Sequence, residues 1–271
     1  MLSNKDWGEN MRVAGVGFCC IDVYENLDRY YPTGNSVDFV IHMSRLGADT
    51  SMVSVVGNDS YGSLMLDKLR EERVDVTHMH TREGGHTAIF RMELNGNDRV
   101  HKEKVEGVME SFSLNEDDLS FILQYQAIHT NLSGRINHHL AELRRQGIQI
   151  IYDFSTRTKR EISEPVLPHT DYAFFSYIQE DNEMESFIRW AHALGPKVVV
   201  VTLGEQGSIA FDGENFYRES IEPAKVVNTV GAGDSFCAGF MYGQLSGWTI
   251  QESLKLGART AAGVVSKFTP Y

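Results

Sequence analysis

The chain has 271 residues, of which 42% are hydrophobic and 23% charged, a composition typical of a folded globular protein and not of a disordered one. Its formal net charge of −12 argues against binding nucleic acid or an anionic membrane through bulk electrostatics, and favours a small partner molecule. Three cysteines without disulfide or metal-ligand spacing fit a reducing cytoplasm, and no stretch approaches the roughly 18 consecutive apolar residues of a membrane span.

Residues 1–10 are polar and contain no apolar core of a signal peptide, so we expect a disordered extension there. From residue 11 onward, strand and helix patterns alternate. The run 13–19 is apolar without polar alternation, which predicts a strand covered on both faces. The elements predicted next are a helix over 36–46, a strand over 51–56, a helix over 61–71 and a short extended piece over 74–78.

The segment 87–101 interrupts this alternation of strands and helices. Its apolar residues alternate with other residues up to Asn95-Gly96, a strong hairpin signal, and predict a hairpin that projects from the main sheet. The strand and helix alternation then resumes, and the valines over 198–201 predict a fully buried central strand. The remaining predictions are strands over 127–129, 148–154 and 172–175, helices over 137–146, 184–193, 232–246 and 250–266, and a second hairpin over 208–218.

The segment 228–236 is a glycine-rich turn that runs directly into a helix of small residues. Gly231 and Gly233 permit positive φ and leave room for a phosphate, while the helix N-terminus offers unpaired amides and a favourable dipole. Asp234 would repel a phosphate but suits the acceptance of a proton from an attacking hydroxyl. The combination indicates phosphoryl transfer, although a turn that merely caps a helix better explains these residues taken alone.

A second glycine-containing loop follows the strand of valines. Thr202, Gly204 and Gly207 stand where that strand ends, and ligands gather outside the carboxyl ends of parallel strands. A hairpin loop explains this pattern at least as well when the loop is considered by itself. Its position shortly before the segment 228–236 favours a nucleotide contact.

Together, Thr-Leu-Gly-x-x-Gly at 202–207 and Thr-Val-Gly-Ala-Gly-Asp-Ser-Phe at 229–236 resemble the motifs of the ribokinase (PfkB-type) carbohydrate kinase family. The resemblance covers residues 11–271. It implies a ribokinase-like α/β fold with a central, mostly parallel sheet flanked by helices and a small β lid, whose strands are expected at about 22–34 and 87–102. It also implies that the chain uses ATP and Mg²⁺ to phosphorylate a hydroxyl of a small sugar-like substrate.

Individual residues take roles through this resemblance. Asp234 is implied to be the catalytic base. The implied anion hole consists of the amides of Gly231, Ala232 and Gly233. The implied nucleotide contacts are Thr202, Gly204, Gly207 and Asn228.

The implied sugar contacts lie in the N-terminal half. Asp22, Gly34 and Asn35 match family positions that hydrogen-bond sugar hydroxyls, for which a carboxylate and an amide are suited. A solvated turn aspartate and a helix-cap asparagine are the ordinary alternatives. The projecting hairpin corresponds to the lid, which excludes water when substrate binds, and Asp98 and Arg99 at its tip are further implied contacts.

The magnesium contacts are less well marked. The family's Asn-x-x-Glu motif, which orders magnesium-bound water, is present only as Gln179-x-x-Asn182, so Glu180 is the candidate contact. Magnesium is still expected because the charge on the ATP phosphates needs neutralising, and such sites often use few protein ligands. The pair His78-x-His80 lacks a supporting Cys or carboxylate pattern in the sequence and receives no role.

Three residues depart from the family's pattern. Phe18 stands where a polar residue is frequent, Thr33 where a glycine is usual and Asn228 where an aspartate is frequent. Phe18, Asn228 and the altered metal motif leave open a regulatory protein that binds sugar or nucleotide without catalysis, whereas the intact Asp234 favours an enzyme. Within enzymes, a kinase for another sugar or for a nucleoside is the alternative.

Segments spread along the chain, at 97–100, 106–109, 179–181 and 202–205, resemble the branch of the family that acts on fructoselysine. This Amadori adduct joins a fructose unit to an amino acid's amine, and the expected product is fructoselysine 6-phosphate. Arg99 is one of several candidates for pairing the amino-acid carboxylate. The exposed edges of a projecting hairpin also favour a homodimer formed through the β lid.

Overall fold

The computed structural model describes residues 11–95, 98–177 and 183–271, so the predicted extension at 1–10 and the candidate metal contact Glu180 lie outside the described residues. The strands are β1 (Arg12–Val16), β2 (Cys20–Tyr24), β3 (Arg29–Thr33), β4 (Asp49–Gly57), β5 (Met79–Arg82), β6 (Ile89–Asn95), β7 (Asp98–Val105), β8 (Ala127–Asn131), β9 (Gln149–Asp153), β10 (Tyr172–Ser176), β11 (Val198–Thr202), β12 (Ser208–Phe211) and β13 (Phe216–Glu219). The helices are α1 (Asn35–Leu46), α2 (Ser60–Glu71), α3 (Glu116–Ile122), α4 (Asn137–Arg145), α5 (Arg160–Ser163), α6 (Met184–Ala193), α7 (Ala232–Leu245) and α8 (Ile250–Val265).

A nine-stranded sheet forms the centre of the molecule, in the order β13-β12-β11-β10-β9-β8-β1-β4-β5. The strands from β11 to β5 run parallel to their neighbours, whereas β12 and β13 are added antiparallel at one edge. Strand β11 is a nearly continuous apolar run and every residue of β8 is buried, because both faces of the sheet are covered. The predicted, mostly parallel sheet is therefore confirmed.

A separate four-stranded sheet, in the order β3-β2-β6-β7, is called the small sheet below. The antiparallel pair β6 and β7 is the hairpin that alternation in the segment 87–101 predicts, and it continues to Val105. Strand β2 joins this hairpin by pairing parallel with β6 and antiparallel with β3.

The predicted single strand over 13–19 is wrong in its second half. Strand β1 ends at Val16, and Gly17 adopts a φ of 110°, which turns the chain out of the main sheet. At Gly17 the backbone also runs so close to Gly134 that a side chain would collide with it. The chain then enters the small sheet at Cys20, so a continuous apolar run serves two sheets.

Two local predictions near the edge of the main sheet also differ from the structure. The extended piece predicted over 74–78 makes only an isolated bridge, from Asp75 to Ser51, and the strand β5 that pairs with β4 follows it at Met79–Arg82. Helix α3 was not predicted, although Asn115 and Asp118 form a capping box at its start. None of the helices in the described part of the chain is long and apolar enough to cross a bilayer.

The last two helices, α7 and α8, pack at unusually close range because glycines face the contact. A Cβ at Gly239 would lie 2.6 Å from Oγ1 of Thr260, and one at Gly243 would lie 2.6 Å from Oγ of Ser253. Helix α7 is consequently buried on most of its surface and sits firmly between α8 and α1. This packing holds the first turn of α7 at the edge of the sheet.

Candidate active site

The carboxyl ends of the central parallel strands carry the polar residues of a cleft. Asn131 ends β8, Asp153 ends β9 and Thr202 ends β11. Ser176, the last residue of β10, has its hydroxyl 3.1 Å from that of Thr202. Because neighbouring strands run parallel, these ends share one edge of the sheet, where ligands bind in open α/β folds.

Asn35, the first residue of α1, bridges two carboxylates at this edge. Its Nδ2 lies 2.8 Å from Oδ2 of Asp153 and 3.0 Å from Oδ1 of Asp234, and the two amide hydrogens serve one carboxylate each. Its Oδ1 accepts a hydrogen bond of 2.8 Å from Nδ2 of Asn131, which fixes the orientation of the amide. The predicted base Asp234 and the predicted sugar contact Asn35 are thus in direct contact.

Asp153 is a cleft carboxylate that the sequence motifs did not single out. Burial raises its pKa, although a hydrogen bond from the Ser155 amide, another from Asn35 and the charge of Arg157 oppose that rise. Its negative charge is therefore less stabilised than in water, which favours a nearby cation. The available sequence signal was its position as an acid at the end of a buried strand.

The first turn of α7 presents backbone amides to the cleft. Gly231 precedes the helix with a φ of 73°, and a Cβ there would lie 2.5 Å from Cβ of Pro270, so only glycine fits. A Cβ at Gly233 would instead meet no heavy atom within 4 Å. The first-turn amides lack acceptors within the helix, although that of Ala232 donates to the carbonyl oxygen of Thr229 at 3.3 Å, and they carry the positive end of the helix dipole. This opening therefore suits an anion beside Asp234.

A cavity of about 380 Å³ borders this helix terminus. Much of its wall is apolar and comes from Ala258, Ala261 and Ala262 of α8, a surface without a recognisable motif. Ile221 and Val226 also line it and are each 49% exposed, so a flat apolar ring bound here would cover them. The predicted residues on the wall are Thr202, Gly204, Gly207, Ala232 and Gly233.

Asn228, a predicted nucleotide contact, does not lie on the wall of this cavity. Its Nδ2 donates to the carbonyl of Phe268 at 2.8 Å, and its Oδ1 accepts a hydrogen bond of 3.1 Å from the amide of Val230. The buried side chain ties the turn before α7 to the C-terminal segment. Its contact with a nucleotide stays a prediction, while the structure gives it a positioning role.

Asp22 lies in β2, on the face of the small sheet that is turned towards residues 228–234, which are called the catalytic turn below after the predicted base Asp234. Its side chain is buried, and its neighbours on this face include Tyr24 and Tyr31, whose hydroxyl oxygens are 3.1 Å apart. These tyrosines pack with Val230, immediately before Gly231, and with Phe268. The small sheet is thereby anchored to the catalytic turn through the face that carries Asp22.

Gly34 and its neighbours set the start of α1. Gly34 has a φ of 134°, and a Cβ there would lie 2.7 Å from the carbonyl oxygen of Phe18. Thr33, which departs from the family's pattern, donates from its hydroxyl to Asp38 at 2.7 Å and so has a structural role. The backbones of Asp98 and Arg99 lie in β7, but their side chains are outside what the structure describes.

A second polar cluster lies at the sheet edge formed by β5. Nδ1 of His78 and Nε2 of His80 each lie 2.8 Å from Oδ1 of Asp118, so α3 supplies the carboxylate that the sequence did not associate with these histidines. Among the described residues, these three side chains form a group whose possible metal-ligand atoms all lie within 4.8 Å of one another. Asp118 also caps α3 together with Asn115, so the cluster holds α3 against β5.

Residues 28–271 match the family model described as pfkB family carbohydrate kinase, so the chain belongs to this family of ATP-dependent sugar kinases. It is 36% identical over 253 residues to the fructoselysine 6-kinase of Escherichia coli, covering 93% of this chain and 97% of the relative. It is 32% identical over 257 residues to a fructosamine kinase of Bacillus subtilis, covering 93% of this chain and 90% of the relative. The predicted family and enzyme class are confirmed.

Solved structures share the fold. Arabidopsis thaliana ribokinase complexed with ribose and ATP superimposes with a TM-score of 0.84 at 20% identity, covering 96% of this chain and 94% of that chain. A putative ribokinase II from Escherichia coli in complex with ATP and Mg²⁺ gives a TM-score of 0.80 at 18% identity over the same shares, 96% and 94%. The predicted ribokinase-like fold is thus confirmed.

Proposed function

We propose that this sugar kinase transfers the γ-phosphoryl group of ATP to the terminal hydroxyl of fructoselysine, giving fructoselysine 6-phosphate. The observation that carries the proposal is the contact of Asn35 with Asp234, because it joins a sugar-binding position to a base at a helix N-terminus. The similarity to the fructoselysine 6-kinase of Escherichia coli, at 36% identity, supports this substrate.

The nucleotide is proposed to occupy the cavity of about 380 Å³, with its base against the apolar wall of α8. Thr202, Gly204 and Gly207 are proposed as its contacts at the strand end. The opening at Gly233 leads from this cavity to the first-turn amides of α7, so the terminal phosphate is proposed to lie there. The phosphoryl group is thereby proposed to lie next to Asp234.

Asp234 is proposed to accept the proton of the attacking hydroxyl. As that proton leaves, the hydroxyl oxygen bonds to the γ-phosphorus and the bond from this phosphorus to the β,γ-bridging oxygen breaks, releasing ADP. The amides of Gly231, Ala232 and Gly233 stabilise the negative charge on the transferring group. Asn35 orients the base by donating to its Oδ1.

Mg²⁺ bound with ATP neutralises phosphate charge and prefers oxygen donors. Asp153 offers a carboxylate of this type at the cleft, and the burial that raises its pKa favours a cation beside its charge. We therefore propose Asp153 as a residue that would hold the metal, while the contact of Glu180 with it stays a prediction.

The small sheet is proposed to act as a lid over the sugar, with Asp22 as a hydroxyl contact. Its cleft-facing side packs on the catalytic turn through Val230, so substrate binding and the position of that turn are linked. A homodimer formed through this sheet stays a prediction.

The proposal is tested by measuring ADP release with a panel of acceptors: fructoselysine, ribose, fructose 6-phosphate and adenosine. We expect fructoselysine to give the highest kcat/KM. ADP release that fructoselysine does not raise above the rate in water, while another acceptor does, would reject this substrate and leave the sugar-kinase class intact.

A further inference from the structure

A pocket of about 290 Å³ has a lining with a net positive charge, in a chain that is negative overall. Its lining carries three cationic side chains and one acidic side chain, although the chain as a whole has a net charge of −12. Such a local excess of positive charge attracts an anionic group. The charged lining residues are Lys104, Glu106, Arg135 and Arg157.

Lys104 lies on the face of the small sheet that carries Asp22. Asp22 is paired with Phe90 across β2 and β6, and Phe90 is paired with Lys104 across β6 and β7, so the three side chains leave the same face. Two strand spacings, about 10 Å, separate Asp22 from Lys104. The Nζ of Lys104 lies 5.6 Å from the ring centroids of both Phe18 and Phe90, which form an apolar floor beside it.

Arg157 connects the pocket to the catalytic network from the other side. It follows β9, and its charge is close enough to Asp153 to oppose the rise in the pKa of that carboxyl. Asp153 in turn shares the amide of Asn35 with Asp234. The side of the pocket that Arg157 forms therefore lies near the proposed catalytic residues.

One of the lining side chains, that of Glu106, is itself a carboxylate. Its Oε1 lies 2.7 Å from Nζ of Lys104, and its Oε2 contacts the guanidinium of Arg135. The hydrogen bond from Lys104 lowers the pKa of Glu106, burial opposes this, and Arg135 lowers it further, so Glu106 stays negative at neutral pH. The pocket thus offers both signs of charge.

We infer that this pocket binds the zwitterionic amino-acid end of the substrate, with its α-carboxylate beside Arg157 and Lys104 and its α-ammonium beside Glu106. The inference rests on the proposed function and names the part of the protein that selects the adduct. A phosphate dianion fits less well, because the carboxylate of Glu106 on the pocket wall would repel it.

The spacing between Asp22 and Lys104 favours an adduct through the ε-amine of lysine. Six bonds join the sugar's C1 to the α-carbon in that adduct, which is about 8 Å at roughly 1.3 Å per extended bond. This reach approaches the spacing of about 10 Å between Asp22 and Lys104. An adduct through an α-amine has only two such bonds, about 2.5 Å, and would leave the charged groups short of the pocket.

The wild-type enzyme provides the first test. Its kcat/KM is measured by ADP release with fructoselysine, with fructose joined to pentylamine, and with fructose joined to the amine of glycine. We expect fructoselysine to exceed each of the other two by at least about tenfold, the effect of one charge-assisted hydrogen bond. Equal values for fructoselysine and the pentylamine adduct overturn the inference but leave the proposed function standing.

Variants provide the second test. Lys104→Gln and Arg157→Gln are each expected to reduce the ratio of kcat/KM for fructoselysine to that for the pentylamine adduct by about tenfold. Lys102→Gln is the matched control, because the Nζ of Lys102 pairs with Glu93 at 2.9 Å, on the opposite face from Phe90. Thermal unfolding shows that each variant is folded.

An unchanged ratio in both folded pocket variants overturns the inference. A wild-type enzyme that phosphorylates neither sugar amine, but does phosphorylate another sugar, rejects the proposed function and this inference together. A failure of the proposed function can therefore be distinguished from a failure of the pocket inference alone.

Discussion

Nδ2 of Asn35 lies 3.0 Å from Oδ1 of Asp234, although the two residues are 199 positions apart in the sequence. Asn35 begins α1, Asp234 lies in the first turn of α7, and the two helices pack against each other. The orientation of the proposed base therefore depends on an element from the other half of the chain. One amide joins the proposed sugar contact in α1 to the proposed base in α7.

Replacing Asp234 with Asn removes the proton acceptor and keeps the shape of the side chain. We expect kcat to fall by about 10²–10⁴, the contribution of a positioned base, while ATP binding measured by calorimetry persists. Asp67→Asn, at a side chain that is 75% exposed on α2, is the control for the same chemical change. Normal turnover in the Asp234 variant would remove this residue from its proposed role.

Replacing Asn35 with Asp exchanges the bridging donors for a third carboxylate. Like charges disfavour ionisation, so the pKa of the catalytic carboxylate rises and the acid limb of the pH–rate profile moves to higher pH. The kcat/KM profile from pH 5 to 9 measures this shift, and Asn58→Asp, at an exposed residue, is the matched control. An acid limb at the wild-type position would contradict the contact between Asn35 and the base.

Replacing each of the two glycines of the catalytic turn with alanine distinguishes an effect on stability from an effect on catalysis. Gly231→Ala places a side chain at a φ of 73° against Pro270 and should lower the free energy of unfolding by about 1–3 kcal/mol. In Gly233→Ala the added methyl group has no heavy atom within 4 Å. Because alanine favours a helix more than glycine does, this variant should raise the free energy of unfolding by up to about 1 kcal/mol.

The same Gly233→Ala variant should nevertheless lose activity, because its methyl group narrows the approach of the phosphate. We expect kcat/KM to fall by about a hundredfold, as for a displacement of roughly an ångström at a reacting group. Urea unfolding and ADP release measure the two effects. Full activity in this variant would place the phosphate elsewhere.

Glu72 makes stability depend on acidity. Burial raises its pKa, but hydrogen bonds from Arg45 and Lys68 outweigh this and lower the pKa from 4.5 to about 2. Because the folded-state pKa is the lower one, the stabilisation is fully present above about pH 4.5 and is lost as the pH falls towards 2.

The variant Glu72→Gln should therefore lower the free energy of unfolding by about 1 kcal/mol at pH 7, since solvent screens such pairs. The difference from wild type should shrink as the pH approaches 3. Urea unfolding at several pH values measures this, with Glu71→Gln, at a side chain that is 70% exposed, as the control. A difference that is constant with pH would exclude the ion pairs as its cause.

The sequence by itself determined the family and much of the secondary structure. Local signals sufficed for this: the valines over 198–201 form the buried strand β11, and the glycines at 231 and 233 flank the start of α7. Such features depend on residues a few positions apart, because periodicity and backbone conformation act at that range. The same limit explains why the apolar run over 13–19 predicts one strand, since nothing local marks the exit at Gly17.

The tertiary structure alone decided which polar groups meet. Asp153 joins the cleft only because parallel strands place their carboxyl ends along one edge, and Asp118 reaches His78 and His80 only because α3 packs on β5. The bridge from Asn35 to Asp234 and the alignment of Lys104 with Asp22 likewise follow from the pairing of distant elements. Contacts of this kind are set by topology and side-chain packing over the whole chain, which no short segment encodes.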